Sequence, residues 1–451
     1  MSDWQEAEER VEKAHELYER GRWEEALSEL KAAIAINPYN GAWYFNLGLT
    51  LDMMDRYEEA ITAYRRALEM ESDDLELLNA VGTDCTRVGK HREAIEFFER
   101  IERIDPAYEA CYCNRIIAYS ELDQHDRAEE MFYLARQYKE TCPMCLYNMG
   151  NSLFARGLYD RALWCWQQVL QTEPTHPQTH ARMAEVFWAK GQLGDARRHF
   201  LEELRLNPGD IDTMLDLGEL LMEMGQETAA AEKFRQVLEL EPGECVAHFN
   251  LGILAENEGD VALALQQFKH VLRNDKTFPG AHLRIALIHH RAKDRASALY
   301  HANCELSGRQ ELDEAVLLEL GNLLMDLHQL PGAQTAFQRA LEMNAKNVDA
   351  RHNLAVTLLL RGSIDQGIQE CRKALAAQPK YMLAMYNLAL AYMTQHDYPR
   401  ARHYLKEALD IAPDDAPLRQ LHRRWKVRAV LHRLRRTLPA RRRAKRPDSK
   451  A

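Results

Sequence analysis

The residues from Gly41 to Asp74 recur, with substitutions, at an interval of 34 residues from one end of the chain to the other. Within that unit Tyr44, Leu47, Gly48 and Leu51 hold the three-and-four spacing of one buried helical face. A turn at Asp55-Arg56 interrupts it, and Tyr57, Ala60, Ile61, Tyr64, Ala67 and Leu68 mark a second face. Neither short helix can bury its stripe alone, so the unit folds only when stacked on copies of itself. The period predicts an all-α solenoid of about twelve helix hairpins that grows by addition rather than around separate cores.

The copies are legible from two small residues. The first helix carries Ala14, Gly48, Gly82, Gly150, Ala184, Gly218, Gly252, Ala286, Gly321, Ala355 and Ala389. The second carries Ala26, Ala60, Ala94, Ala128, Ala162, Ala196, Ala230, Ala264, Ala298, Ala333 and Ala401, with Gly367 in the remaining copy. Small residues at a helix crossing let two backbones approach, and retaining Gly at a propensity cost of about 1 kcal/mol implies a tight contact. This pattern resembles the tetratricopeptide repeat family over about nine-tenths of the chain. The resemblance implies a right-handed superhelix whose first helices line a concave groove used to bind proteins.

The expected organisation is a lead-in over 1–6, twelve units over 7–415, a basic capping helix over 416–438 and a basic disordered tail over 439–451. Copies begin at Ala7, Gly41, Leu75, Glu109, Pro143, Pro177, Ile211, Cys245, Pro279, Glu314, Val348 and Met382. Copy four departs, with Arg115 where Leu is usual and Ile116 at the small site. Copy nine (279–313) is irregular: Ala302 replaces an aromatic and one extra residue precedes Glu314, which marks it as a candidate joint. Leu418, Leu421, Trp425, Val430, Leu431 and Leu434 are expected to cover the last unit.

Charge divides the chain unevenly. The net charge is −11, but residues 416–451 carry 14 Lys/Arg and a single acid, Asp448. Arg435, Arg436, Arg441, Arg442, Arg443, Lys445 and Arg446 make that tail a candidate contact for nucleic acid, an anionic lipid surface or an acidic protein, with a solubilising end as the plainer alternative. The polar, acidic start Met1-Ser2-Asp3-Trp4 lacks the apolar stretch of an export signal, and no apolar run is long enough for a membrane span, so a cytoplasmic protein is expected. Nine cysteines in such a chain are expected as free, partly buried thiols.

Binding residues follow from the resemblance. The sixth position of each copy, which faces the groove in this family, is Asn46, Asn114, Asn148, Asn250, Asn353 and Asn387. A carboxamide donates and accepts, so a row of them can hold a peptide backbone in both directions. The row is similar to the asparagine ladder in the repeats of O-linked N-acetylglucosamine transferases, although no catalytic domain accompanies it; the alternative is a tolerated consensus residue. Glu12, Ala80, Arg182, Asp216, Arg284 and Glu319 interrupt it. Phe45, Tyr147, Phe249 and Tyr386, with Trp188, suggest an aromatic groove for hydrophobic or extended segments. No lysine or arginine stands one step before the sixth position, which argues against a carboxylate clamp.

Cys111, Cys113, Cys142 and Cys145 come from adjacent copies and can in principle supply four thiolates to zinc. Cys111 and Cys113 point to different helix faces, so buried thiols are expected there and no metal or other cofactor. No phosphate-binding glycine loop, metalloprotease helix or nucleophile elbow is present in the sequence. The function expected is therefore non-enzymatic: a protein-binding scaffold or adaptor, or a substrate-recruiting subunit for a separate enzyme such as a glycosyltransferase.

Overall fold

The structure, a computed structural model, describes residues 3–139, 141–308 and 312–437. Every regular element among the described residues is an α-helix. The helices follow in pairs: α1 (Asp3–Glu19) and α2 (Trp23–Ile36), α3 (Gly41–Asp52) and α4 (Tyr57–Leu68), α5 (Leu75–Arg87) and α6 (His91–Ile104). Next come α7 (Glu109–Glu121) and α8 (His125–Tyr138), α9 (Pro143–Ala155) and α10 (Tyr159–Thr172), α11 (Thr179–Ala189) and α12 (Leu193–Leu206). Then follow α13 (Ile211–Glu223) and α14 (Glu227–Leu240), α15 (Cys245–Glu258) and α16 (Val261–Asn274), α17 (Ala281–Arg291) and α18 (Arg295–Ser307). The last are α19 (Glu314–Asp326) and α20 (Leu330–Met343), α21 (Val348–Leu360) and α22 (Ile364–Ala377), α23 (Met382–Thr394) and α24 (Tyr398–Ile411), closed by α25 (Ala416–Thr437). The fold is an all-α helix-hairpin solenoid.

The chain divides into two compact units, residues 1–233 and 234–451. In the first, each helix packs on the next from α1 to α13, and the first helices α5, α7, α9 and α11 also touch in series. In the second, the same holds from α15 to α25, with α17, α19, α21, α23 and α25 in contact in series. The first helices from α5 to α11 in the first unit, and from α17 to α25 in the second, thus each build a continuous face.

The glycines have a steric cause. An added Cβ at Gly82 would lie 2.6 Å from the Phe98 ring, at Gly252 2.6 Å from Phe268 and at Gly321 2.5 Å from Phe337. Gly48 and Gly150 meet Tyr64 and Trp166 in the same way. A fully buried ring from the second helix lies on the bare backbone of the first, contributing about 2–3 kcal/mol of burial. Where the small residue is Ala389 or Ala355, the position of the ring is taken by Leu405 or Cys371.

Every hairpin turn passes through one residue at positive φ. Seven are Gly21, Gly89, Gly157, Gly191, Gly225, Gly259 and Gly362, and five are Asp55, Asp123, Lys293, His328 and His396. The left-handed conformation costs an L-residue about 1–2 kcal/mol, so glycine is the relaxed choice at this point.

First helices open where the copies were expected to begin, except for three. Helix α1 starts early, at Asp3, while α11 and α17 start two residues late, at Thr179 and Ala281. In both late cases a buried glutamate from the second helix caps the start. Glu203 accepts from the amides of Gln178 (3.0 Å) and Ala181 (3.4 Å). Glu305 accepts from those of Gly280 (2.7 Å) and Leu283 (2.8 Å). Gln178 and Gly280 turn left-handed to present their N–H groups.

Copy four keeps its pairing by substitution. Ile116 and Phe132 are both buried, and Arg115, 5% exposed, is paired with Glu102. At the far end Leu418 and Leu421 bury against the core of the last hairpin, and Trp425 Nε1 donates to the Tyr398 carbonyl at 3.0 Å. Here the expectation needs correcting: Val430 and Leu431 lie 56% and 52% exposed, so only the first half of α25 covers the array. The side chains of Leu434, Arg435 and Arg436, and the residues Arg441, Arg442, Arg443, Lys445 and Arg446, lie outside the described residues.

Candidate functional site

The candidate residues lie on first helices. Phe45, Tyr147, Trp188, Phe249 and Tyr386 are all half-buried. Phe45 packs against Tyr64 with ring centres 5.8 Å apart, Tyr147 against His176 at 4.9 Å, and Phe249 between Phe268 and Phe278 at 5.6 and 5.2 Å. Trp188 meets Phe200 edge-on at 6.2 Å and donates from Nε1 to Glu223. Tyr386 rests on the core of the last hairpins. Each ring is held by neighbours while part of its surface stays open, which lowers the entropy lost when a partner covers it.

The asparagines are placed differently from one another. Asn148 and Asn250 are 7% exposed. Asn148 Nδ2 donates to the Cys113 carbonyl on the preceding first helix at 3.3 Å. Asn114 Nδ2 donates to Asn79 Oδ1 at 2.9 Å, and Asn353 Nδ2 to Asn322 Oδ1 at 2.9 Å. Asn46 and Asn387 remain half-exposed, Asn46 beside a cavity of about 130 Å³ lined also by Val11, Tyr18 and Leu49. Asn114, Asn148 and Asn353 therefore brace one first helix against the next.

Two of the residues that interrupt the asparagine series, Arg182 and Asp216, bring charge to the first helices α11 and α13. Arg182 on α11 binds Glu185 through both carboxylate oxygens, at 2.9 and 3.0 Å. Asp216 on α13 has its carboxyl pushed up to about 6, first by burial and then by the charges of Glu185, Glu219 and Asp212. A carboxyl so raised is one that a cation would return to its ionised form. The stretch between Tyr147 and Glu223 thus combines aromatic surface with acid in excess over base.

Two features lay outside the expectations. Asp84 is 1% exposed, shares Arg87 with Asp52, and has its carboxyl lifted to about 7, mainly by burial and further by Asp52. Histidine pairs sit at matching places in copies six and nine, with Nδ1 atoms 3.0 Å apart in His180–His199 and 2.8 Å apart in His282–His301. Burial lowers His199 and His301 to about 4. The recurrence of His and Glu at the same register in these two copies was the available signal.

The cysteines correct the expectation of thiols throughout. Cys113 and Cys145 form a disulfide, because α7 and α9 pack directly and bring their Cα atoms to 4.8 Å. Cys142 lies beside it, with Sγ 3.6 Å from that of Cys113, whereas Cys111 stays a separate buried thiol. Burial pushes the Cys142 thiol up to about 11.

Within each unit, short first helices stacked in series and backed by second helices define a helical-hairpin array. Tetratricopeptide repeat models match residues 11–74, 54–109, 147–211, 215–279 and 318–382, and another of the same description matches 358–424. The chain belongs to the tetratricopeptide repeat family, a non-catalytic architecture. Among curated relatives, human protein O-mannosyl-transferase TMTC1 is 28% identical over 162 residues, which are 35% of this chain and 17% of that protein. The Arabidopsis thaliana TPR repeat-containing thioredoxin TTL4 is 27% identical over 131 residues, 29% of this chain and 18% of that protein. The chain thus spans less than a fifth of the length of these relatives. A solved tetratricopeptide repeat protein from Parabacteroides merdae shares 19% identity at a TM-score of 0.48, over 55% of this chain and 99% of its own. Among the described residues no helix is long and apolar enough to cross a membrane.

Proposed function

We propose that the chain is a scaffold or adaptor that binds an extended or helical protein segment along its first-helix face. The observation that carries this reading is the pair of half-buried rings on the successive first helices α9 and α11, Tyr147 and Trp188, with the Glu185, Asp216 and Glu219 carboxylates on α11 and α13. That chemistry favours a segment carrying both apolar and basic side chains. Anisotropy with labelled basic, neutral and acidic peptides of equal length tests it. Basic peptides should bind more tightly than the others, the difference should shrink with salt, and Glu185→Gln with Asp216→Asn should weaken them about tenfold or more. Equal binding of all three classes would overturn it.

A narrower form, recruitment of substrates to a separate glycosyltransferase, is supported by the partial match to a protein named as an O-mannosyl-transferase. Co-purification of such an enzyme with the full chain tests it. A second reading assigns α25 and the tail to an anionic surface, whether nucleic acid or lipid. Beyond Trp425 this helix exposes Val427, Val430 and Leu431 beside Arg423, Arg424, Lys426 and Arg428. Binding to DNA, RNA and anionic vesicles at two salt concentrations, with the full chain and a chain ending at Leu438, should show a salt-sensitive loss on truncation; identical binding by the two would end that reading.

A further inference from the structure

Three sulfurs from two consecutive first helices converge inside the first unit. Cys113 lies near the start of α7, Cys142 caps the N-terminus of α9, and Cys145 follows within its first turn. Their sulfur atoms all lie within 4.8 Å of one another, and none of the three residues is more than 5% exposed. Thiolates around one metal ion, at metal–sulfur distances of about 2.3 Å, stand about 3.8 Å apart. The Cys113–Cys142 separation of 3.6 Å is already close to that value. Once the Cys113–Cys145 bond is reduced, these two sulfurs need move only by side-chain rotation to complete the triangle.

The surroundings suit a metal ion. The Cys145 amide donates to Cys142 Sγ at 3.3 Å, so a thiolate there gains a hydrogen bond and the favourable end of the α9 dipole. Asn148 ties the Cys113 carbonyl to α9, fixing the spacing of the two helices. The Glu109 carboxylate borders Cys142 and is held by Lys139 at 3.1 Å. Lys139 also offsets part of the negative charge that three thiolates would bring.

We infer that the reduced protein holds one thiophilic ion with a filled d shell, Zn²⁺ or Cu⁺, between Cys113, Cys142 and Cys145, and that the disulfide is the metal-free oxidised state. A dithiol or phosphine reductant supplies two electrons and two protons to the Cys113–Cys145 bond, giving two thiols. Binding of the ion by the three thiols then releases three protons. Cu⁺ is satisfied by three sulfurs, whereas Zn²⁺ takes a fourth ligand, for which the Glu109 carboxylate beside Cys142 is the candidate once its side chain swings towards the three sulfurs. The inference is independent of the peptide-binding reading.

The test uses the full chain, reduced anaerobically with a phosphine, desalted, and titrated with Zn²⁺ and separately with Cu⁺ against chromophoric chelators. Co²⁺ serves as a spectroscopic stand-in for Zn²⁺. One equivalent of one of these ions should be held, with a thiolate-to-cobalt charge-transfer band if the site is four-coordinate. Cys142→Ser should weaken binding at least about 100-fold, and Cys85→Ser, which removes a buried thiol elsewhere, should change nothing. Glu109→Gln should weaken Zn²⁺ about 10–100-fold and spare Cu⁺. Circular dichroism checks that each variant folds, and Cys142→Ala replaces Cys142→Ser if the latter does not. Failure of the reduced chain to hold either ion in competition, or equal affinity in wild type and the Cys142 variant, overturns the inference.

Discussion

Glu305 is expected to be the side chain on which the start of α17 depends. It is 4% exposed and accepts two backbone N–H bonds, at 2.7 Å from Gly280 and 2.8 Å from Leu283. Hydrogen bonds to a charged acceptor contribute about 1.5–3 kcal/mol each, and part of that is offset because burial disfavours the carboxylate and raises its pKa. Glu305→Ala leaves both amides unpaired in the interior, so the net loss should be about 2–4 kcal/mol. Glu305→Gln keeps one acceptor oxygen and should lose about half as much. The loss is local, and native-state hydrogen exchange reads it directly: amides from Gly280 to Leu283 should exchange about 30- to 1000-fold faster in the Ala variant. Unchanged exchange at these amides in Glu305→Ala would refute the capping role, and Glu203→Ala should act likewise on α11.

In the turns, Lys293→Gly should raise stability and Gly89→Ala lower it, each by about 1 kcal/mol, measured by urea denaturation. Gly82→Val should cost about 1–3 kcal/mol by overpacking against Phe98, while Gly194→Ala, with nothing within 4 Å, should be neutral or stabilising by the same assay. His199 and His301 titrate at about 4 when folded and near 6.5 when unfolded. The unfolded chain takes up the extra protons between these values, so their contribution is unaffected above about pH 6.5 and is lost as the pH falls towards 4. The loss is at most about 3 kcal/mol for each residue. The raised carboxyls of Asp84 and Asp216 act in the opposite sense, so the comparison is with His199→Gln/His301→Gln, which should flatten the acid side of the stability profile. In copy nine, Ala302 in place of a ring and the extra residue before Glu314 should make exchange across 279–308 faster than across 245–278; equal protection would remove the proposed joint.

The fold was legible because each copy repeats the same packing requirement. Gly82 and Phe98 were visible as a glycine and an aromatic in fixed register, and the helices begin at Leu75 and His91 accordingly. The turn residue was harder to see, since five copies place Asp, Lys or His where seven place Gly. Glu203 and Glu305 look like ordinary surface charges near helix ends; only the late starts of α11 and α17 expose their amide partners. The sixth-position asparagines lie where adjacent first helices meet, so a residue such as Asn148 can turn sideways to Cys113 instead of outward. Cys111 and Cys145 stand one repeat of 34 residues apart, but the offset between stacked helices brings Cys113 rather than Cys111 to Cys145. The acidic stretch was present in the sequence only as interruptions of another pattern.

The central claim, that partners are held by the first-helix face, is tested most directly by hydrogen exchange of the full chain with and without a bound basic peptide. Protection should concentrate in α9, α11 and α13, around Tyr147, Arg182, Trp188 and Asp216, and leave α10 and α12 unchanged. Protection confined to the second helices, or to α25 alone, would contradict it.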